Sequence, residues 1–277
     1  MNTDCKFADL STGVRLAYVE QGPRDGLPVI MLHGISDTHR SFDLVRPLLP
    51  NTWRIFAVTQ RGHGLSDKPD EGYAMGDFAR DAVAFMNAVG VERAVVVGHS
   101  MSTAVTLRTA ADYPERVAGV VLMGAFAHFR DTPTMAELKA AAADIGENCG
   151  REFSQAFQES TLANPIPPNY LETVVNESLY MPGHAWRGAV QGLIDFEPIE
   201  AAQKIQAPAA IIWGDRDAYC PRQDQHELRA ALRSSRLFTL SAVGHALHWE
   251  RPADTAALLR AFVADIEEPA MLDRALA

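Results

Sequence analysis

The sequence has few cysteines, no long apolar run and no excess of positive charge. Its 277 residues include three cysteines, Cys5, Cys149 and Cys220, which are odd in number and far apart. This spacing matches neither a disulfide framework nor a metal site, so we expect reduced thiols in a cytoplasmic protein. No apolar stretch is long enough to cross a bilayer, and residues 1–6 lack the apolar segment of a secretory signal. We therefore expect no membrane partner.

The charge of the chain excludes a further class of partner. Lys and Arg number 25 against 35 Asp and Glu, which gives a formal net charge of −10 at pH 7. Because nucleic acid is a polyanion, a chain this acidic is not expected to bind it. Hydrophobic residues make up 47% and charged residues 22%, which is typical of a globular protein with one substantial core. Composition says nothing of the oligomeric state.

Short apolar runs alternate with amphipathic segments along most of the chain. Period-2 patterns predict a hairpin over residues 5–10 and 14–20. Apolar, β-branched runs predict buried strands at 29–32, 54–58, 94–97, 117–123, 209–213 and 236–240. Helical patterns occur at 42–49, 77–89, 101–113, 223–232 and 252–266. This alternation predicts an α/β fold with a mostly parallel sheet flanked by helices, whose functional loops lie at the carboxyl ends of the strands.

The alternation stops between residues 125 and 206. This stretch has no strong strand pattern, and its helical patterns at 134–147, 152–162, 170–179 and 185–194 are separated by proline-rich segments. We therefore predict a core domain formed by residues 1–124 and 207–277, with residues 125–206 inserted as a helical cap.

A serine stands where a predicted strand changes into a predicted helix, in the segment Val97-Gly98-His99-Ser100-Met101-Ser102. A sharp turn between small residues strains the serine backbone and exposes its hydroxyl above the sheet. The N-terminus of the helix also favours a developing negative charge. By itself, the same pattern fits a serine that caps a helix after a buried strand.

Several segments together resemble the α/β-hydrolase family. The serine segment is similar to the family's G-x-S-x-G motif, with Ser102 at the position of the last glycine. The other matching segments, in chain order, are His33-Gly34-Ile35, the glycine-containing loop 61–69, the acid loop Gly214-Asp215-Arg216-Asp217 and Gly244-His245. The resemblance spans residues 14–265 and implies the α/β-hydrolase fold with a Ser…Asp…His order of catalytic residues.

The resemblance implies a role for each matching residue. Ser100 is the expected nucleophile, His245 its base, and Asp217 the acid that orients the imidazole. Asp215 is the competing acid, and we expect it to brace the loop instead. The backbone N–H groups of Ile35 and Met101 are the expected oxyanion hole.

The substrate pocket is expected under the cap. Its candidate lining residues are Phe126, Phe129, Tyr180 and Trp186, together with His248, one helical turn after His245. Other apolar residues of this segment are expected mainly to pack helices. No Cys/His cluster has metal-ligand spacing and no loop matches a phosphate-binding pattern, so we expect neither metal nor cofactor.

The expected function is hydrolysis of a small or medium carboxylic ester or lactone through an acyl-enzyme on Ser100. Dehalogenases and epoxide hydrolases of the family use Asp as the nucleophile, so a serine argues against both. Two alternatives stay open at this point: a carbon–carbon bond hydrolase of diketone-type substrates with the same triad, and a slow-turnover sensor of a small molecule.

Overall fold

Eight strands form one sheet in the computed structural model, which describes residues 5–130 and 132–276, with residues 267–276 described by backbone only. The strands are β1 (Lys6–Asp9), β2 (Arg15–Gln21), β3 (Leu27–Leu32), β4 (Trp53–Val58), β5 (Ala94–His99), β6 (Val117–Met123), β7 (Ala209–Gly214) and β8 (Ser235–Leu240). Their order across the sheet is β1-β2-β4-β3-β5-β6-β7-β8. The β1–β2 and β2–β4 pairs are antiparallel and the other five pairs are parallel. The predicted α/β fold with a mostly parallel sheet is confirmed.

The central strands are apolar on both faces because helices cover both sides of the sheet. Along β3, Ile30 and Leu32 belong to one apolar layer, while Val29 and Met31 belong to the other. Successive side chains of a strand point to opposite faces, so one apolar run serves both layers. This is why these strands read as continuous apolar segments in the sequence.

The described residues contain ten α-helices. They are α1 (Met75–Ala88), α2 (Met101–Asp112), α3 (Pro133–Asp144), α4 (Arg151–Ser160), α5 (Pro168–Ser178), α6 (Gly183–Ile194), α7 (Pro198–Ala202), α8 (Arg222–Ala231), α9 (Leu247–Glu250) and α10 (Pro252–Leu276). None of them is both long and apolar enough to cross a membrane.

The helix expected at residues 42–49 is wrong. That segment instead contains two short 3₁₀ turns, His39–Phe42 and Arg46–Leu48. Pro47 has no N–H to donate to the preceding turn, so a continuous α-helix cannot form through it. Similarly, Pro252 separates α9 from α10 because it disfavours helical dihedrals at Arg251, whose φ is −133°.

Five of the helices, α3 to α7, lie between β6 and β7. Four of them match expected helical patterns, and the short α7 has no counterpart among those patterns. Helix α3 packs against α6, α4 packs against α5, and α7 packs against α2 beside the sheet. The division of the chain into a core and a cap stays a prediction.

Candidate active site

Ser100 lies in the sharp turn that joins β5 to α2. Its φ of 53° and ψ of −118° form a conformation that non-glycine residues rarely adopt and that costs on the order of 1–3 kcal/mol. The turn is held by the Ser100 N–H, which donates to the Met123 carbonyl at 2.9 Å, and by the Thr103 N–H, which donates to the Ser100 carbonyl at 2.9 Å. A Cβ at Gly98 would lie 2.1 Å from the Ser102 carbonyl oxygen, so this close approach requires glycine.

The structure brings Ser100, His245 and Asp217 together from three separate loops. His245 Nε2 lies 2.8 Å from Ser100 Oγ, and His245 Nδ1 lies 2.8 Å from Asp217 Oδ2. Both distances are those of hydrogen bonds. A carboxylate at Nδ1 keeps the proton there and leaves the Nε2 lone pair facing the serine hydroxyl, which is the arrangement of a general base.

Asp217 is held as a carboxylate by its surroundings. Its Oδ1 accepts hydrogen bonds from the N–H groups of Tyr219 at 2.8 Å and Cys220 at 2.9 Å. Burial raises the pKa of Asp217, but the His245 imidazole and these two amides outweigh it, so the pKa lies below its ordinary value. Asp215 instead accepts from the Ala242 N–H at 2.6 Å and from the Ser241 hydroxyl at 3.1 Å, and so braces the neighbouring loop.

Ile35 and Met101 line the same cavity as Ser100. Met101 is the first residue of α2, where N–H groups have no acceptor within the helix. The Ile35 N–H has no acceptor among the residues that the structure describes. Two unpaired N–H donors at one serine can stabilise a developing oxyanion.

Ser102 connects the serine turn to the loop that carries Ile35. Its hydroxyl donates to the His33 carbonyl oxygen and accepts from Gln60 Nε2 at 2.7 Å. Gln60 also donates to the His33 carbonyl at 3.1 Å and, through its backbone N–H, to His33 Nε2 at 3.0 Å. A glycine at residue 102 would lack the hydroxyl, so this position adds a buried link between α2 and the loop after β3.

A cavity opens at Ser100 and His245. Of the residues expected to line it, Phe126 does so. Four further apolar side chains of the wall come from the segment between β6 and β7. They are Met135, Leu138, Phe157 and Leu193.

Four expected lining residues lie elsewhere. Trp186 is buried against Phe157 and Phe153, whose ring centroids lie 5.2 Å and 5.6 Å from that of Trp186. Phe129 belongs to a separate surface groove, and Tyr180 is 52% exposed. His248 is fully buried behind the cavity, where its Nε2 lies 2.9 Å from the Ser41 hydroxyl. Residue type and position along the chain do not distinguish a side chain that faces a cavity from one that packs against a neighbour or faces solvent, which is why these expectations fail.

Several polar residues of the cavity wall were missed from the sequence, and the most deeply buried of them are Asp37, His99 and Gln158. Burial raises the pKa of Asp37 to about 6. Burial, and then the neighbouring His245, lower the pKa of His99 to about 3, so His99 is neutral at pH 7. The only available signal was the position of Asp37 and His99 beside matching motifs, while Gln158 has no signal in the sequence.

One cluster of side chains has the composition of a metal site. Single ligand atoms of Asp217, Cys220 and His245 lie within 4.8 Å of one another. However, Asp217 and His245 bond each other, and burial raises the pKa of the Cys220 thiol well above its usual range. Because a metal binds the thiolate, this donor set is a poor cation site.

Comparisons with known proteins agree with the observed fold. A family model described as alpha/beta hydrolase fold matches residues 28–252. An uncharacterized protein of Mycobacterium tuberculosis is 25% identical over 291 residues, which cover 95% of this chain and 82% of that protein. An esterase from Exiguobacterium antarcticum has a TM-score of 0.84 at 21% identity, covering 95% of this chain and 99% of its own. An enol-lactonase from Burkholderia xenovorans has a TM-score of 0.83 at 18% identity, and the match covers 94% of this chain and 100% of that chain. At these identities the two structures establish a shared fold alone.

Proposed function

This chain belongs to the α/β-hydrolase fold family, and on that premise we propose that it is a serine hydrolase that cleaves a carboxylic ester or lactone. The observation that carries the proposal is the continuous hydrogen-bonded line from Asp217 through His245 to Ser100, with 2.8 Å at each step. A serine hydroxyl is a weak nucleophile at neutral pH, so it needs a base at this distance to accept its proton.

In the proposed reaction, Ser100 Oγ attacks the substrate carbonyl while His245 Nε2 takes the hydroxyl proton. Asp217 accepts the hydrogen bond from Nδ1 and stabilises the imidazolium that forms. The carbonyl oxygen becomes an oxyanion, which the Ile35 and Met101 N–H groups stabilise. One such donor is worth about 3–4 kcal/mol in related enzymes.

Collapse of this intermediate produces an acyl-enzyme on Ser100. His245 gives its proton to the leaving alcohol, which for a lactone stays attached to the acyl group. Water then enters, His245 removes one of its protons, and the resulting attack releases the carboxylic acid. His245 therefore acts as an acid toward the leaving alcohol and as a base toward the water.

The cavity supports an ester or lactone over the carbon–carbon alternative. Cleavage of a diketone-type substrate forms an enolate, which needs positive or hydrogen-bond-donating groups beside it. The described cavity wall has the Asp37 carboxyl and no Lys or Arg, so no positively charged side chain there would stabilise an enolate. A sensor would share the triad, and turnover number separates it from an enzyme, since a sensor turns over slowly.

The test combines active-site labelling with turnover. Wild-type protein should react with a fluorophosphonate at Ser100 and hydrolyse nitrophenyl esters over many turnovers. Ser100→Ala should lose the label and lower kcat by roughly 10⁴–10⁶. Ser234→Ala is the matched control, because Ser234 is exposed at the start of β8 and uses only its backbone carbonyl in a hydrogen bond. Label on another serine, or unchanged turnover by Ser100→Ala, would contradict the proposal.

A further inference from the structure

The cavity beside Ser100 has a buried polar corner, and its wall also includes polar residues such as Gln158, Thr161 and Tyr219. Asp37 and His99 form this corner and are 3% and 2% exposed. They come from different elements: Asp37 from the loop after β3, and His99 from the end of β5. The corner is therefore next to the proposed nucleophile, at the loop that supplies an oxyanion donor.

Asp37 is oriented by the side chains of Gln158 and Ser41 and by the Gly34 backbone N–H, and it keeps acceptor capacity. Its Oδ1 accepts from Gln158 Nε2 at 3.1 Å, and its Oδ2 accepts from the Ser41 hydroxyl at 3.1 Å. A carboxylate has about four acceptor positions, so these three bonds leave the group only partly satisfied. No Lys or Arg belongs to the described wall of the cavity, so no fixed cation there compensates the charge of Asp37.

His99 presents a second acceptor toward the same space. Its Nε2 lies 3.1 Å from the His245 carbonyl oxygen, which accepts only, so Nε2 bears the hydrogen. In a neutral imidazole the other nitrogen, Nδ1, then has a lone pair and no hydrogen. Nδ1 is buried and has no hydrogen-bond partner among the described residues.

The two acceptors lie near each other, and no side-chain donor among the described residues bridges them. His99 Nδ1 lies 3.9 Å from Asp37 Oδ2, which is too far for a direct hydrogen bond. Gly34 lies beside the gap, and a Cβ there would be 3.0 Å from His99 Nδ1, 3.2 Å from Asp37 Oδ2 and 3.2 Å from Ser100 Cβ. Because residue 34 is glycine, no side chain of its own fills this narrow position between the acceptors and the serine.

A group that satisfies both acceptors must donate at least two hydrogen bonds, and a cation is favoured beside an uncompensated carboxylate. A hydroxyl has only one hydrogen to donate, and a carboxylate has none and would be repelled. Water and a protonated primary amine both meet the donor requirement, and only the amine also supplies the missing positive charge.

We propose that Asp37 and His99 form an ammonium subsite, and that the substrate is an ester or lactone with a protonated primary amine near its scissile carbonyl. This inference rests on the proposed hydrolase function and names its substrate class. The amine belongs to the acyl part or to the alcohol part of the substrate, and the test has an arm for each.

The experiment compares ethyl esters of equal length at pH 7 by measuring the acid released. Ethyl 2-aminobutyrate should exceed ethyl butyrate and ethyl 2-hydroxybutyrate in kcat/KM by about tenfold or more, and monoethyl succinate should be the poorest. The second arm compares 2-aminoethyl butyrate with 2-hydroxyethyl butyrate and locates the amine in the alcohol part if only this pair differs. No preference for an amine in either arm, or equal rates for hydroxyl and amine, would overturn the subsite.

Asp37→Asn removes the charge with little change of shape, and it should reduce the ratio of amino ester to plain ester to near one. Asp224→Asn is the matched control: Asp224 is also a buried aspartate, but it accepts from the Ala127 N–H outside the cavity. It should keep the wild-type ratio. An unchanged ratio in Asp37→Asn counts against the proposal.

A binding measurement on wild-type protein separates the subsite from the chemistry. Propylammonium should bind by calorimetry and inhibit ethyl butyrate hydrolysis competitively, while propanol should do neither at the same concentration. If no ester is cleaved and Ser100 stays unlabelled, but propylammonium still binds, then the proposed function fails and the subsite stands. If esters are cleaved and propylammonium does not bind, the corner holds only water and the proposal is wrong.

Discussion

Asp217→Asn is the substitution that tests the proposed triad most directly, because the structure predicts how the asparagine will sit. Oδ1 of residue 217 accepts from two backbone N–H groups, at 2.8 and 2.9 Å. These donors need an acceptor, so the asparagine carbonyl oxygen will face them and its NH₂ will face His245 Nδ1. Nδ1 must then accept, which moves the imidazole hydrogen to Nε2.

With its hydrogen on Nε2, His245 can no longer take the proton of Ser100. The expected loss is about 10⁴ in kcat, equivalent to about 5.4 kcal/mol of transition-state stabilisation. The assay is nitrophenyl ester hydrolysis at pH 7, with circular dichroism to verify that the variant is folded.

Asp215→Asn is the control two residues away. Its carboxylate bonds Ala242 and Ser241 rather than His245, so kcat should stay within about tenfold of the wild type. The reasoning is refuted if Asp215→Asn is the more damaging change, or if Asp217→Asn loses less than about tenfold.

Three further predictions concern the stability of the fold around the site. Ser102→Ala removes a buried hydroxyl that donates to the His33 carbonyl, so the free energy of unfolding in urea should fall by about 1–2 kcal/mol, and no fall would show that the link is unimportant. Gly98→Ala should destabilise by at least 1–3 kcal/mol, about the cost of overpacking, because the new Cβ would lie 2.1 Å from a backbone oxygen. Gly146→Ala is the control: a Cβ at Gly146 would have open space, so the free energy of unfolding should hardly change. Equal effects of Gly98→Ala and Gly146→Ala would contradict the prediction. Burial lowers the pKa of His99 from 6.5 to about 3 in the folded state. Between these values the unfolded chain binds a proton that the folded chain excludes. The free energy of unfolding should therefore fall as pH drops below 6.5, by roughly 1.4 kcal/mol per pH unit for this group, and His99→Asn should flatten the dependence measured in urea at pH 7 and 5.

Much of the fold was predictable because its signals are local. The buried strands read as apolar runs, and each expected strand has a counterpart that differs by a few residues at its ends. The exception at residues 42–49 has a local cause as well, since Pro47 interrupts the helix. Strand ends are less predictable because they depend on which backbone groups find partners on the next strand.

The candidate site was predictable where a residue type and a turn occur together. Ser100 lies between a strand and a helix, and the loop residues Asp217 and His245 follow later strands, so parallel topology places all three at one edge of the sheet. Its pocket was not predictable in this way. Phe126 and Trp186 are both aromatic residues of the stretch between β6 and β7. Only the tertiary packing determines that Phe126 lines the cavity and that Trp186 packs against other side chains.

The sequence by itself determined the alternation of strands and helices, the strained serine turn and the order of the three residues that meet at it, because each depends on neighbours along the chain. Only the tertiary structure decided that Asp37, His99 and Gln158 share one corner, with a lone pair of His99 facing the carboxyl of Asp37. The physical reason is that whether a polar group is satisfied depends on contacts between residues far apart in the chain, which no local pattern encodes.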